Sequence, residues 1–396
     1  MAISKRIIGI SPSPTLSITA KAKKMQQEGI NVIGFGAGEP DFDTPLHIKE
    51  SAKQALDRGF TKYTPTSGIK ELKEAICKKF KNDNALEYSS EEILVSCGAK
   101  HSIFNAILTL CDEADEVILP SPYWVSYPEM VKTTGARAIF LTTTPETDFK
   151  IIPQQLERVI TPKTKLLVLN SPSNPTGMVY NKEALTAICE ILTEKGIFCI
   201  SDEIYEKLTY DGIQHISIAS LGEKIKGLTI VINGVSKSYA MTGWRIGYAA
   251  GPREIIQAMS NLQDHSTSNP TSIAQYASVE ALEGSQEDLK EMADEFKKRR
   301  DYMVGRINSI KYLSALKPDG AFYCWVNVKN LFGKSSDGAT IKDSLVLTDL
   351  LLGRARVAVV PGGVFGDDNY IRLSYATSME NIVEGLNRME EFINKL

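Results

Sequence analysis

The sequence has no excess of charge of either sign. Its 45 lysine and arginine residues and 48 aspartate and glutamate residues leave a formal net charge of −3. Proteins that bind nucleic acid or an anionic membrane present a strongly basic surface, which this composition does not provide. We therefore expect no nucleic-acid or membrane partner, and any site for an anion must be built locally from a few side chains.

Long apolar runs and paired cysteines are also missing. No stretch is long and apolar enough to cross a bilayer, and the segment Met1–Met25 lacks the apolar core and the cleavage site of a secretory signal. The six cysteines form no CxxC pair and have no histidine at a metal-binding spacing. These absences predict a cytoplasmic protein with reduced cysteines and no bound metal.

The chain of 396 residues is too long for one compact core, because single cores stop growing at roughly 250 to 300 residues. Over residues 44–251, short β-branched runs alternate with segments of helical period, a pattern typical of a mostly parallel sheet between helices. The charged segment Ala274–Ile310 is typical of long exposed helices. We predict an α/β fold with a large domain over residues 44–300 and a smaller α+β domain from residues 1–43 and 301–396.

Seven segments of the large domain have the composition of buried strands: Ile93–Ser96, Glu116–Leu119, Arg137–Leu141, Lys165–Asn170, Ile197–Asp202, Thr229–Asn233 and Ile246–Ala250. The smaller domain has strand candidates at Gly320–Val328, Val357–Val360 and Tyr370–Tyr375, and helix candidates at Thr340–Gly353 and Ser378–Leu396. Open α/β sheets bind ligands at the carboxyl ends of their parallel strands. Polar residues at these ends are therefore the candidate site residues.

Lys237 follows the predicted strand Thr229–Asn233 and is the strongest candidate for a reactive residue. A single lysine is usually solvated, but here Ser236, Gly243 and Arg245 add a hydroxyl, bare backbone and a guanidinium nearby in sequence. These groups bind phosphate, and arginine does so with two parallel hydrogen bonds. The segment therefore indicates a lysine that faces a phosphate-binding pocket.

Three further strand ends carry weaker signals. At Gly98–Lys100 a strand ends and a helix begins, so backbone N–H groups and the positive helix end would point at one place, although many α/β turns share this feature. Asp202 ends another strand, where an aspartate is either a helix cap or a ligand. Asn174 lies in a loop with two prolines, which is either a simple tight turn or a rigid support for a side chain that points at a cofactor.

Together these motifs resemble those of the fold-type I, class I aminotransferases, which depend on pyridoxal phosphate (PLP), and in particular the bacterial aspartate aminotransferases of the 1-beta subgroup. The resemblance runs nearly from end to end. It rests on the segments Ala37–Pro45, Lys62–Pro65, Ser121–Tyr127, Asn170–Gly177, Ser201–Tyr205, Ser236–Tyr248 and Tyr370–Tyr375. It implies the fold-type I architecture of a large PLP-binding domain and a smaller domain.

The resemblance implies three catalytic residues. Lys237 would hold PLP as a Schiff base and later move the substrate proton, Asp202 would pair with the pyridine nitrogen, and Tyr205 would pair with the ring hydroxyl. An aspartate beside the ring nitrogen keeps the ring cationic, which makes it an electron sink. The other cofactor contacts would be Gly98, Ala99, Lys100, Trp124, Asn174, Ser236, Arg245 and, from a neighbouring subunit of a homodimer, Tyr63.

The resemblance also implies amino-acid and 2-oxo-acid substrates. Arg372 would bind the substrate α-carboxylate, with Gly38, Asn174 and Trp124 nearby. The side-chain carboxylate of aspartate would be bound by Ser13, Thr15 and Lys100. We therefore expect amino transfer from L-aspartate to 2-oxoglutarate by a ping-pong mechanism.

Other functions remain open at this point. A broader aminotransferase acting on aromatic amino acids or prephenate would share the same residues, and so would a PLP-dependent β-lyase. Relatives that also accept prephenate tend to carry a lysine where this chain has Ser11, so we expect weak or absent activity on prephenate. A ligand-sensing half of a transcription regulator would need a DNA-binding extension, and the sequence shows no helix-turn-helix segment or basic stripe.

Overall fold

The computed structural model of the protein describes residues 3–12, 14–336 and 338–396. Its α-helices span Lys5–Ile8, Pro14–Gln27, Leu46–Asp57, Lys70–Asn84, Ala99–Leu110, Ser126–Thr134, Pro153–Val159, Lys182–Lys195, Glu223–Lys226, Arg253–Asp264, Ser272–Glu283, Glu287–Ser309, Ser344–Leu350 and Met379–Ile393. Its strands span Ile33–Gly34, Ile93–Ser96, Glu116–Ser121, Arg137–Thr142, Thr164–Asn170, Phe198–Asp202, Thr229–Gly234, Gly247–Ala250, Ser314–Ala315, Tyr323–Asn327, Ser335–Ser336, Ala339–Thr340, Val357–Ala358, Val360–Pro361 and Tyr370–Ser374.

The main sheet has seven strands, and each corresponds to one of the seven predicted segments. From one edge to the other the order is Ile93–Ser96, Gly247–Ala250, Thr229–Gly234, Phe198–Asp202, Thr164–Asn170, Glu116–Ser121 and Arg137–Thr142. Strand Gly247–Ala250 is antiparallel to both of its neighbours, and the other pairs are parallel. The prediction of an α/β fold with a mostly parallel seven-stranded sheet is confirmed.

Helices cover both faces of most strands of this sheet, which explains why these strands are largely apolar, whereas the edge strand Arg137–Thr142 keeps exposed positions. All four residues of Ile93–Ser96 are buried. Ile93 and Val95 pack into one hydrophobic cluster with the helix Lys70–Asn84, whereas Leu94 packs into another with the helix Ala99–Leu110. Successive side chains of a strand point to opposite faces, so a strand between two helical layers has no solvent-facing position.

A second, four-stranded antiparallel sheet lies in the C-terminal part of the chain. Its order is Val360–Pro361, Tyr370–Ser374, Tyr323–Asn327 and Ser314–Ala315. The N-terminal strand Ile33–Gly34 pairs with Val357–Ala358, so the beginning and the end of the chain fold together. This pairing agrees with an assignment of residues 1–43 and 301–396 to one smaller domain, and the domain boundaries stay a prediction.

The segment Ala274–Ile310, predicted to form long exposed helices, is helical but only partly exposed. The helix breaks at Gly284, and the long second helix Glu287–Ser309 buries Arg299 and Arg300. Nη1 of Arg299 donates to both carboxylate oxygens of Asp41, at 2.7 and 2.9 Å. Buried guanidinium groups require such partners, and a helical charge pattern read from sequence cannot reveal a partner about 260 residues away in the chain.

None of the helices in the described ranges is long and apolar enough to cross a bilayer. All six cysteines are free thiols. Three of them, Cys111, Cys199 and Cys324, are buried as small apolar residues.

Candidate active site

The carboxyl ends of three central strands meet at one edge of the main sheet. Asn170 and Asp202 are paired in register at the ends of their strands, and Asp202 is in register with Ile232 of the next strand. Lys237 follows that strand closely. Parallel pairing brings together residues that are far apart in sequence, as the strand-end argument predicts.

A cavity of about 390 Å³ opens at this edge. The cavity is lined by residues of the large sheet, of the N-terminal segment and of the C-terminal sheet: Thr15, Gly36, Ala37, Gly38, Glu39, Ala99, Lys100, Ile103, Trp124, Val125, Ser126, Asn170, Asn174, Asp202, Ile204, Tyr205, Ser236, Lys237, Thr242, Arg245, Tyr323 and Arg372. Its volume is typical of a site for a small ligand or cofactor.

The ε-amine of Lys237 projects into the cavity and donates a hydrogen bond to the Gly38 carbonyl oxygen at 2.5 Å. Burial lowers the pKa of Lys237 to about 8, with the positive charges of Arg245 and Arg372 adding to the effect and the Glu39 carboxylate opposing it. A lysine in this state can act as a nucleophile and a proton carrier near neutral pH, because roughly a tenth of it is uncharged at pH 7, against less than about a thousandth for an ordinary lysine.

The Asp202 carboxylate is 4% exposed and lies in the same cavity. The hydroxyl of Tyr127 donates to its Oδ2 at 2.6 Å, and the N–H of Ile204 donates to its Oδ1 at 3.3 Å. Burial raises the pKa of Asp202 to about 6, although these two hydrogen bonds oppose the rise. A buried carboxylate with a raised pKa is stabilised by any cationic group that enters the cavity beside it.

The predicted phosphate side combines a helix start and a guanidinium. Gly98 precedes the helix Ala99–Leu110 with φ of 88°, a backbone conformation that favours glycine. A Cβ atom at this position would collide with the guanidinium of Arg245. That guanidinium donates to the carbonyl oxygens of Thr242 at 2.8 Å and Cys97 at 3.2 Å. The positive helix end, Arg245 and the Ser236 hydroxyl thus surround one corner.

Arg372 comes from the second sheet and is 3% exposed. Its Nη1 donates to Asn174 Oδ1 at 3.0 Å and its Nη2 donates to the Gly36 carbonyl oxygen at 2.9 Å. Its Nε has no hydrogen-bond partner among the described residues. A buried N–H of a guanidinium that lines a cavity is suited to bind a carboxylate.

Lys100 and Trp124 line the wall next to the phosphate corner. The Lys100 ammonium lies 4.9 Å from the Trp124 ring centroid, a cation–π distance. Burial and the nearby Arg245 both lower the pKa of Lys100. Thr15 of the N-terminal segment also lines the cavity, whereas Ser13 lies outside the described residues.

The structure brings almost all of the predicted residues to this cavity. Gly98 is not part of the lining, but it adjoins Ala99 and Arg245, which are. Tyr63 is the exception, since it does not line the cavity and is 92% exposed. The interpretation that it completes a neighbouring subunit's site stays a prediction.

The sequence interpretation missed several polar neighbours. Tyr127 and Asn170 lie inside motifs on which the family resemblance rests, and this position is the sequence feature that could have identified them. Tyr323, whose hydroxyl is 2.8 Å from that of Tyr205, is one aromatic residue of a predicted strand and carried no signal. Glu39, which accepts from the Thr242 hydroxyl at 3.1 Å, lies beside the expected Gly38.

This set of donors fits PLP on three counts. Lys237 supplies an amine with a lowered pKa for an aldehyde, and Asp202 supplies a buried anion for a protonated pyridine nitrogen. The corner at Gly98 and Arg245 supplies N–H groups and positive charge for a phosphate.

Comparisons with known proteins agree with this fit. The profile of the family described as aminotransferase class I and II matches residues 30–389. The aspartate aminotransferase of Bacillus subtilis is 49% identical over 395 residues, which cover 100% of both chains. The aspartate/prephenate aminotransferase of Nitrosomonas europaea is 46% identical, again over 100% of both chains. The crystal structure of the aspartate aminotransferase from Rhizobium meliloti superposes with a TM-score of 0.96 at 43% identity and covers 100% of both chains.

The raised pKa of Asp202 predicts a pH-dependent cost to stability. A carboxyl whose pKa rises on folding stabilises the folded state below its unfolded pKa, here 3.8, and loses that contribution as the pH passes through about 6. The shift corresponds to about 3 kcal/mol. In cofactor-free protein, Asp202→Asn should therefore unfold with a free energy up to about 3 kcal/mol higher than the parent at pH 8, and the difference should shrink towards pH 4.

Chemical denaturation of the cofactor-free parent and variant across this pH range measures the difference. Asp367→Asn, a change at a partly exposed aspartate outside the cavity lining, is the matched control. A difference between parent and Asp202→Asn that does not change with pH would contradict the prediction.

Proposed function

Because the chain belongs to the family of class I and II aminotransferases, we propose that it transfers the amino group of L-aspartate to 2-oxoglutarate with PLP held at Lys237. One observation carries this proposal. A buried arginine, Arg372, whose Nε has no partner in the described part of the chain, faces the same cavity as Lys237, with its pKa of about 8, and a second basic side chain, Lys100. Arg372 suits a substrate α-carboxylate, the lysine with the lowered pKa suits exchange of an amine, and Lys100 suits a second carboxylate.

The lining of the cavity supports a set of proposed cofactor contacts. PLP, when bound, supplies an electron sink for the negative charge left when the substrate Cα loses its proton. Asp202 would hold a proton on the ring nitrogen, because its buried carboxylate would gain a counter-charge there. Tyr205 would contact the ring hydroxyl, Trp124 would contact the ring, and Ser236, Arg245 and the backbone of Gly98–Lys100 would bind the phosphate.

Lys237 would move the proton. When its ε-amine is free in the cavity, the pKa of about 8 would let it accept a proton and return it. Gly38 supports this role, because its carbonyl oxygen accepts a hydrogen bond from Lys237 and keeps the amine within the cavity.

The dicarboxylate is bound by charge at both ends. Arg372 binds the α-carboxylate, with its orientation fixed by the Asn174 side chain and the Gly36 carbonyl oxygen. Lys100 and Thr15, which line the same cavity, would bind the side-chain carboxylate, and Ser13 of the same segment is proposed to assist. A cavity with several cationic groups favours substrates with two negative charges over those with one.

Prephenate is the second candidate amino-acceptor substrate, because several relatives of this chain are named aspartate/prephenate aminotransferases. The surroundings of Ser11 favour a low activity on it. The backbone N–H of Ser11 donates to Glu129 Oε2 at 2.9 Å, and Lys132 is occupied by the other oxygen of Glu129 at 2.7 Å. An additional carboxylate near Ser11 would thus meet an anion instead of a free cation.

We also propose a cytoplasmic homodimer with composite sites. Tyr63 is 92% exposed, which is unusual for a large aromatic side chain and is explained if a second subunit covers it. In a two-fold symmetric dimer each subunit would contribute its Tyr63 hydroxyl to the phosphate corner of its partner. The six free thiols accord with a reducing compartment.

Replacing Lys237 by alanine should lower kcat by about 10³-fold or more, because the residue that moves the proton is lost. The fold should persist, since Lys237 makes its hydrogen bond to a cavity carbonyl and not within a core. Steady-state kinetics measure the effect, with the exposed Lys182→Ala as control. Borohydride reduction of the parent followed by peptide mapping should place the cofactor on Lys237, and a label on Lys100 instead would refute the assignment.

Substitution of Ser11 by lysine should raise kcat/KM for prephenate by roughly 10-fold, the size of one added charged hydrogen bond, and leave that for aspartate nearly unchanged. Glu129→Gln should act in the same direction, because it removes the anion next to Ser11. Glu28→Gln, at an exposed position, is the control. A parent enzyme that prefers prephenate to aspartate would disprove this part of the proposal.

Mixing subunits tests the composite site. Tyr63→Phe and Lys237→Ala homodimers should each be impaired, and a hybrid dimer should regain one complete site from the intact Lys237 of one chain and the intact Tyr63 of the other. Activity after co-refolding the two variants should therefore exceed the sum of the separate activities. A monomer by light scattering, or no gain on mixing, would count against the composite site.

A further inference from the structure

A buried polar cluster lies behind the turn that carries Asp202 and Tyr205. Its acidic members are Glu203, which is 0% exposed, and Glu206, which is 6% exposed. Ligand atoms of Glu203, Glu206 and His215 lie within 4.8 Å of one another. None of the three lines the cavity, so the proposed function leaves them without a role.

The contacts of Glu206 argue against a metal ion in this cluster. The Lys79 ammonium binds Oε1 of Glu206, and the Asn84 amide donates to Oε2 at 2.9 Å, so both oxygens are occupied. Burial raises the pKa of Glu206, but Lys79, with smaller contributions from His215 and Asn84, outweighs that effect, and the pKa falls to about 2. A metal ion would have to displace a buried ammonium, and otherwise only Glu203 and His215 remain, fewer than the three protein ligands of typical zinc sites.

Glu203 instead ties several segments together by hydrogen bonds. Its Oε1 accepts from the Ser201 hydroxyl at 2.7 Å and from the Ser217 hydroxyl at 2.6 Å. Its Oε2 lies 3.0 Å from Nε2 of His215, but neither atom forms a hydrogen bond among the described residues. A fully buried carboxylate is expensive to leave without the two serine hydroxyls, so the backbone at Glu203 is held in place by them.

The backbone transmits this restraint to the site. The N–H of Glu203 donates to the Ile232 carbonyl oxygen at 2.9 Å, which continues the pairing of the central strands, and the N–H of Glu206 donates to the Glu203 carbonyl oxygen at 2.9 Å. Asp202 and Tyr205 line the cavity on one side of this short turn, whereas Glu203 and Glu206 are anchored on the other.

We propose that Glu203 and Glu206 are positioning residues, whose buried anchors on Ser201, Ser217, Lys79 and Asn84 hold the turn so that Asp202 and Tyr205 project towards the cofactor ring. The inference rests on the proposed function, in which those two side chains contact PLP. Ser217 connects the turn to a segment that follows it in the sequence. Lys79 and Asn84 connect the turn to the helix Lys70–Asn84.

The test compares Glu203→Ala, Glu203→Gln and Ser217→Ala with the control Ser220→Ala. Ser220 lies on the same segment and donates to the Ser217 carbonyl oxygen at 2.7 Å without touching Glu203. The measurements are the dissociation constant for PLP, the visible circular dichroism of bound PLP, and kcat and KM for aspartate.

Glu203→Ala should weaken PLP binding by roughly 10-fold or more, as the loss of a charged hydrogen bond does. It should also alter the dichroism band and lower kcat more than it changes KM. Glu203→Gln should recover most of the affinity, because an amide oxygen still accepts from Ser201 and Ser217. Ser217→Ala should be intermediate, and Ser220→Ala should match the parent.

A folded Glu203→Ala protein with the parent's PLP affinity and dichroism would overturn the inference. If that variant does not fold, Ser217→Ala decides, and equality with Ser220→Ala in PLP affinity would overturn it. A stoichiometric metal in the purified parent that Glu203→Gln lacks would also overturn it. Failure of the parent itself to bind PLP would instead refute the proposed function, so the two failures are distinguishable.

Discussion

The buried carboxylate of Asp202 is the constraint on which the rest of the site depends. A carboxylate at 4% exposure is costly to keep ionised, and the protein offsets only part of that cost with the Tyr127 hydroxyl and the Ile204 N–H. The remainder is a raised pKa and an unmet demand for positive charge. In the proposed function a bound cationic ring would meet that demand, so the stability lost at Asp202 would be offset by stronger binding of the protonated cofactor.

The N-terminal segment completes the site by connecting its parts. The carbonyl oxygen of Gly36 accepts from Arg372, that of Gly38 accepts from Lys237, and the carboxylate of Asp41 pairs with Arg299 of the long helix. One short stretch thus touches the lysine of the large sheet, the arginine of the C-terminal sheet and the helix Glu287–Ser309. Because a catalytic arrangement must be held to a fraction of an ångström, such cross-connections bear directly on rate.

The electrostatics of the cavity differ from those of the whole protein. A net charge of −3 offers no general attraction to anions, yet Lys100, Lys237, Arg245 and Arg372 all line one cavity. Burial lowers the pKa of both lysines, which places their titration closer to neutral pH, whereas the arginines remain charged. The same small volume therefore holds permanent cations for binding and an ionisable amine for proton transfer.

Sequence alone determined the elements of this protein that depend on local pattern. Most of the main strands were predictable because strands buried on both faces are largely apolar, and the presence of Asp202, Asn174 and Lys237 at one cavity was predictable because ligands bind where parallel strands end. The order of the strands, the burial of Arg299 against Asp41, the Tyr127 bond to Asp202 and the anchoring of Glu203 and Glu206 were decided only by the tertiary structure. Each of these interactions joins residues that are distant in sequence and that carry no distinctive local pattern. The partner, the burial and the pKa of a side chain are set only when folding brings both interacting groups together.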